Sequence, residues 1–430
     1  TISPEEGFAQ DFSQPAFYTV TAQDNNSTQI WTVIVEVEDE PFAPFVTTWK
    51  TDNPGSSEDN QITIPTFPGE TYNYSVDWGD GTSDTEVTGD ITHTYETSGT
   101  YQISVSGNFP RIYFDNTSDK EKILTVNQWG DIAWSSMERS FMGCANLDVI
   151  SQDTPTLTNV NDMSYMFNLC PSLLGNNNFG TWDVSNVTNM YGLFAVTGLF
   201  NQAIGDWDVS NVTNFGYMFQ STDAFDQNIG SWNVSSATNM HGMFSFATAF
   251  NQDIGNWNVA NVADMVGMFQ NASSFNQYIG DWNMMNVTDI SLMFQNALAF
   301  NQDVGNWNVS SVENMSSTFA SANSFNQNLG LWDIGSATNM DLMFGGVTLS
   351  TNNYDAMLEG WSTQQLQNGV IFNGGNSEYC LGEAGRQKLI DDFGWTITDG
   401  GKSEDCAPYC IPSNLALNKP SSQSSLYGSG

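Results

Sequence analysis

The sequence predicts a multidomain chain: β-sandwich modules, then an α/β solenoid of 25-residue coils, then a C-terminal capping segment. Three observations carry that prediction. "FNQDIGNWNVANVADMVGMF" (Phe250 to Phe269) returns as "FNQYIGDWNMMNVTDISLMF" from Phe275, and again as "FNQDVGNWNVSSVENMSSTF" from Phe300. Ahead of this array, alternating apolar and polar runs are broken by Gly, Asp and Asn, the pattern of antiparallel strands and their turns. Behind it the period stops, at "NNYDAMLEGW".

The totals narrow the function. A chain of 430 residues exceeds one ordinary core, so it holds several modules or a long repeat array. Its 48 acidic residues against 9 basic ones repel polyanions and exclude nucleic acid as a partner. Between Arg139 and Arg386 there is no Lys or Arg, while Asn, Gln, Ser and Thr dominate the polar positions. Amide hydrogen bonds rather than ion pairs should hold that surface. No signal peptide and no run of 18 apolar residues is present. The opening "TISPEEGFAQ" lacks an initiator Met, which reads as an excerpt or processed product attached to a larger polypeptide beyond both ends. The five cysteines form no CxxC pair and have no His cluster, which argues against zinc and for oxidised pairs in an exported protein.

Residues 1–40 read as a small β module. "AFYTVTAQDNNSTQIWTVIVEV" is two alternating runs around a polar turn, and "EDEPFAPF" (Glu38 to Phe45) is a linker. Residues 45–126 form a second β module. There "YNYSVDWGDGTSD" runs from a strand into a turn, and "ITHTYETSGTYQISVSG" is a further strand pair. "VDWGDGT" followed by "HTYETSGTYQISV" resembles the PKD family of immunoglobulin-like sandwiches. The resemblance implies a spacer on a secreted or surface protein. Asp77, Asp80 and Asp84 suggest calcium, but their spacing is not an EF-hand loop, and Asp and Gly making a tight turn accounts for them.

The array covers 137–346. Trp182 to Trp332 and Gly180 to Gly330 recur with one fixed period, as do Phe200 to Phe325, Gln202 to Gln327 and Phe194 to Phe344. Phe141 and Phe167 continue the last series upstream, giving nine turns. Each unit reads as one coil that cannot bury its apolar face alone, so stacked ladders become the core. Phe-x-Gln-x-Ile fits a short strand. Val187, Met190, Leu193 and Phe194 have helical spacing, with Thr188 as N-cap. One strand and a short helix per coil is the economy of a leucine-rich repeat. The Trp ladder is expected to pack in the coil corner, since seven exposed indoles make too large an apolar patch. The Gln ladder is expected to bond amide to amide along the stack.

"MFSFATAFNQDIGNWNVANVADM" resembles the BspA-type leucine-rich repeats of bacterial surface proteins, over nearly half the chain. The resemblance implies adhesion and carries no shared catalytic residues. Residues 347–410 resemble the closing segment of such arrays, with "EAGRQKLIDDFGW" an amphipathic helix that buries Leu389, Ile390 and Phe393. Residues 411–430 are a linker and "NLALNKPSSQSSLYGSG", which resembles the start of a discoidin (F5/8 C-like) domain.

No catalytic residue is assigned. His93 belongs to "HTY", and His241 occupies a slot filled elsewhere by Tyr191, Gly216, Val266, Ser291, Ser316 and Asp341. No cofactor is expected, with calcium the one ion left open. Cys144 and Cys170 each follow a turn-ending Phe by three residues, so a disulfide between adjacent coils is expected. Cys380–Cys406 is expected to pin the cap, leaving Cys410 for a partner further on. If Phe200, Gln202 and Ile204 face inward, position 203 faces outward. Its series, Ala203, Asn228, Asp253, Tyr278, Asp303 and Asn328, varies as a recognition stripe would, with Tyr278 as anchor. The expected function is a bacterial cell-surface or secreted adhesin fragment. In it the repeat solenoid stands on Ig-like stalk modules and binds surface glycans or proteins of other cells. Export would be to the outer membrane or beyond, with type IX secretion one route. The alternatives are a non-catalytic carbohydrate-binding region of a larger secreted enzyme, and a purely structural spacer.

Overall fold

The computed structural model describes residues 2–3, 16–22, 24, 26–33 and 42–406. The predicted discoidin-like start and Cys410 lie outside the described residues. Two compact units divide the chain, Thr1–Ala43 and Pro44–Gly430. In the first, β1 (Ile2–Ser3), β2 (Ala16–Thr21) and β3 (Thr28–Val33) form an antiparallel sheet in that order. The β2–β3 hairpin closes where the Asp24 carboxylate accepts from the backbone N–H groups of Asn26 and Ser27.

The second unit begins with β4 (Phe45–Lys50), β5 (Gln61–Ile64), β6 (Asn73–Asp77), β7 (Ser83–Val87), β8 (Ile91–Thr94), β9 (Thr100–Asn108), β10 (Ile123–Gln128) and β11 (Asp148–Val149). Six of these form one sheet in the order β11-β10-β4-β9-β6-β7, and β5 pairs with β8. Alternation places Tyr74, Val76, Ile103 and Val105 in a core shared with Ile62 and Ile64 of β5. The link to the repeats is β11, which belongs to the first coil and pairs in parallel with β10. Trp129 then meets Trp182 edge to face at 5.5 Å, so one apolar core runs from the sheet into the coils.

Between 137 and 346 the coils stack in parallel. Single bridges join Asn189 to Asn214, Asn214 to Asn239, Asn239 to Asp264, and so on to Asn339. Inside, Phe244 lies against Phe250 at 3.9 Å and stacks on Phe219 and Phe269 at 5.6 and 5.7 Å. Every Trp of the ladder is buried, and the indole N–H of Trp232 donates to the Ile204 carbonyl of the preceding coil. The Gln ladder bonds to a neighbouring column. Gln277 Nε2 donates to the Asn251 side-chain and backbone oxygens, and Gln302 does the same to Asn276. The fixed glycine also has its reason: a Cβ on Gly255 would sit 2.5 Å from the Tyr278 carbonyl oxygen of the next coil.

An α/β leucine-rich-repeat solenoid is not what these coils make. The described residues are mostly β-sheet and turn. Their two α-helices, both short, lie after the array. The segment read as helical from Val187, Met190, Leu193 and Phe194 does bury those four side chains. Its backbone, however, passes through left-handed residues at Gly192 (φ 61°) and Val196 (φ 60°). Amides of Met190, Gly192, Phe194 and Val196 therefore donate sideways to Asn214, Gly216, Met218 and Gln220 of the next coil. Thr188 is no N-cap; its amide donates to the Asn161 carbonyl. Phe200, Gln202 and Ile204 belong to no strand. A lone coil would favour the helix, but three or four lateral hydrogen bonds at each step outweigh one helical turn.

The cap comprises α1 (Thr351–Trp361), β12 (Ile371–Asn373), β13 (Glu378–Tyr379), α2 (Glu383–Phe393), β14 (Thr396–Thr398) and β15 (Gly401–Lys402). It imitates one more coil. Trp361 donates to the Leu329 carbonyl as the ladder tryptophans do, and Asn353 takes the place of a ladder Gln on Asn326. Phe372 meets Phe344 edge-on at 6.2 Å and ends the Phe ladder. Leu389 of α2 is buried, with Ile390 and Phe393 half-buried, and Gly394 ends the helix at φ 66°. Cys380 and Cys406 are joined, with Cα atoms 5.4 Å apart.

Candidate functional site: two columns on the coil stack

The first column is the predicted stripe. Asn228, Asp253, Tyr278, Asp303 and Asn328 are all exposed, Tyr278 by 45 %. Each of the four Asx side chains also has a local duty. Oδ1 of Asn228, Asp253, Asp303 and Asn328 accepts the backbone N–H of Gly230, Gly255, Gly305 and Gly330, at 2.8–3.0 Å. The Tyr278 hydroxyl donates to Asp281 Oδ1 at 3.0 Å, and that carboxylate holds the phenol proton on more firmly than usual. The stripe therefore offers one aromatic ring, a second carboxylate oxygen on each Asp and an amide donor on each Asn.

A second column was missed by the sequence reading. Tyr165, Tyr191, Tyr217 and His241 come from four successive coils and form a half-exposed row. Ring centroids are 5.2, 5.5 and 4.8 Å apart, and the planes tilt by 67°, 78° and 55°. Each tyrosine lies on a glycine of the following coil. A Cβ on Gly192, Gly216 or Gly242 would come within 2.5–2.8 Å of Tyr165, Tyr191 or Tyr217. At one end the Arg139 guanidinium lies 5.6 Å from the Tyr165 ring and bonds Asp115 at 2.8 Å. At the other, His241 Nδ1 is 3.1 Å from Asp264. Burial, and then the nearby Tyr165, push the Tyr191 phenol up. Burial and Asp264 raise Tyr217, so both hydroxyls remain donors at ordinary pH. Burial opposes ionisation of Asp264, but hydrogen bonds from His241 and the Val266 amide outweigh it and lower its pKa.

Gly216 interrupts the run of aromatic residues at the His241 slot, which hid the row. Tyr217 is one residue along, and its ring fills the gap above Gly242. The signal available was the pairing of a Tyr with a Gly one coil further on, three times in succession.

The remaining predicted positions are structural. Asp77 accepts from the Gly79 amide, Asp80 from Thr82, and Asp84 from the Trp78 indole, so all three close the β6–β7 turn. His93 stacks on Trp78 at 4.7 Å and bonds Asp80 at 2.9 Å. Among the described residues no three His, Cys, Asp or Glu side chains come together as a metal site. The expected Cys144–Cys170 disulfide is absent: both are buried free thiols, and Cys170 Sγ is instead 3.1 Å from the Phe141 carbonyl. Burial raises both thiols well above their ordinary range, so neither is poised for thiolate exchange.

The profile described as "Mycoplasma protein of unknown function, DUF285" matches residues 135–256, 200–298 and 243–361, which together span just over half of the chain. The chain belongs to this family. The DUF285 matches begin where the sheet gives way to coils and end with α1. Residues 1–35 match a second profile, "SGBP, N-terminal". These matches add no support to the PKD-like or discoidin-like resemblance. Neither a curated protein nor a solved structure matches the chain.

Proposed function

We propose that this is a non-catalytic, glycan-binding protein of a bacterial surface, with the DUF285 coil stack as its binding face. The observation that carries the reading is the row Tyr165, Tyr191, Tyr217 and His241, four half-exposed rings on a rigid, glycine-seated scaffold. Aromatic faces with a polar tip suit sugars, whose C–H faces stack while their hydroxyls bond at the rim. The SGBP N-terminal match supports it, being the type of domain found on surface glycan-binding proteins. The long stack and its cap supply rigidity. No helix among the described residues is long and apolar enough to cross a membrane.

The test is a glycan array probed with the 430-residue chain and with Tyr191→Ala/Tyr217→Ala. Binding to one glycan class, lost in the double variant, supports the reading; an array without a signal refutes it. A second reading, adhesion through Asn228, Asp253, Tyr278, Asp303 and Asn328, rests on the exposure of that column. Asp253→Ala/Tyr278→Ala/Asp303→Ala should then abolish cell adhesion with glycan binding intact.

A further inference from the structure

We infer that the tyrosine row takes an extended, uncharged, β-linked polysaccharide lying along the stacking axis, with one sugar ring per coil; this rests on the glycan-binding reading above. Direction comes first. The rings arise from successive coils at centroid steps of 4.8–5.5 Å, so a ligand that touches all four must run with the stack. These steps are comparable to the length of one pyranose unit in an extended chain. A terminal sugar would use a single platform and leave the others idle.

Tilt comes second. Neighbouring rings are inclined by 55–78°, so the row is no flat shelf for a crystalline surface. It suits a single chain whose successive sugars turn about its axis, as in β-linked glucans and xylans.

Charge decides against acidic glycans. There is no Lys or Arg between Arg139 and Arg386. Arg139 is already engaged by Asp115 and Glu138, and Asp264 closes the far end. A uronate or sulfate would meet carboxylates, and among the described residues no free cation lies beside the row.

Hydroxyl partners are present. Asn214 and Asn239 lie beside the rings, their Oδ1 atoms holding the amides of Gly216 and His241. Their Nδ2 groups make no hydrogen bond among the described residues, which leaves two amide donors for the ligand. The glycine seats hold the rings in place beforehand, so little side-chain entropy is lost on binding.

The experiment is calorimetric titration of the 430-residue chain with neutral β-linked oligosaccharides of two to six units, and with polygalacturonate. Affinity should rise with length, level off once four or five rings are covered, and change little with salt. Tyr191→Ala should weaken the hexamer by about tenfold, and the dimer far less. Asn214→Asp, which keeps the Oδ1 acceptor for the Gly216 amide and removes only the Nδ2 donor, should weaken the hexamer too. Length-independent affinity, a preference for polygalacturonate, or a hexamer affinity unmoved by both substitutions overturns the inference. The glycan-binding reading survives those results if the array still reports a ligand, and falls with the inference only if none binds.

Discussion

Replacing Phe250 by Ala tests whether the ring ladders are the source of stability. Phe250 is fully buried, 3.9 Å from Phe244 and about equally spaced from Phe225 and Phe275, at 6.1 and 6.0 Å. A Phe side chain buries roughly 150–200 Å², which at ~25 cal/mol per Å² is worth about 4–5 kcal/mol. A compact unfolded state lowers that by roughly a quarter. The cavity term restores part of it, because the neighbouring rings are held by lateral backbone bonds such as Phe244 N–H to Met268 C=O and cannot collapse inward. The expected loss is about 3–5 kcal/mol. Stacked coils add their stabilities locally, so a single melting curve can understate the loss. Native-state hydrogen exchange on the amides of Phe219, Phe244 and Phe269, all bonded to the following coil, reads it directly. Leu331→Ala, at a residue 80 % exposed, is the matched control and should change stability by less than ~0.5 kcal/mol. A Phe250→Ala loss below ~1 kcal/mol would show that the Phe ladder is not core.

Three further outcomes follow from the same geometry. Gly255→Ala forces a Cβ to 2.5 Å from the Tyr278 carbonyl and should cost ~2–3 kcal/mol in thermal or denaturant unfolding, whereas Gly89→Ala, with nothing within 4 Å, should be neutral. Asp355 is buried and its carboxylate accepts the backbone N–H groups of Cys380, Leu381 and Gly382; Asp355→Ala should cost at least ~3 kcal/mol and expose the cap to proteolysis, and a wild-type digestion pattern would refute that role. Asp80 is opposed by burial, yet hydrogen bonds from Thr82 and His93 lower its pKa from 3.8 to about 2. Because the folded value is depressed, its contribution is complete above the ordinary value of 3.8 and is lost as pH falls toward about 2. The difference in melting temperature between wild type and Asp80→Asn should shrink across that window, and a constant difference would rule the linkage out.

Much was legible in the sequence because so exact a period can be satisfied in few ways. Identical residues must stack, so the buried Phe and Trp ladders, the exposed position-203 column and the need for a cap all follow from the repeat. The periodicity of apolar residues also named the inward side chains correctly, down to Val187, Met190, Leu193 and Phe194. The cap helix was readable too, since its amphipathic pattern and Gly394 are local signals.

Only the tertiary structure decided what backbone carries those side chains. Helical spacing fixes which residues turn inward, but it does not fix whether amides bond within the segment or across to the next coil. The neighbouring coil offers carbonyls at Asn214, Gly216, Met218 and Gln220, and left-handed residues at Gly192 and Val196 turn the amides toward them. The Cys144–Cys170 disulfide failed for a related reason: equal offsets from a stacked Phe do not fix where a sulfur turns, and Cys170 Sγ lies 3.1 Å from the Phe141 carbonyl instead. The tyrosine row was hidden because its members come from two adjacent sequence positions. They line up only when each ring lies over the glycine of the next coil, and that juxtaposition of residues a whole coil apart in the chain exists only in the folded stack.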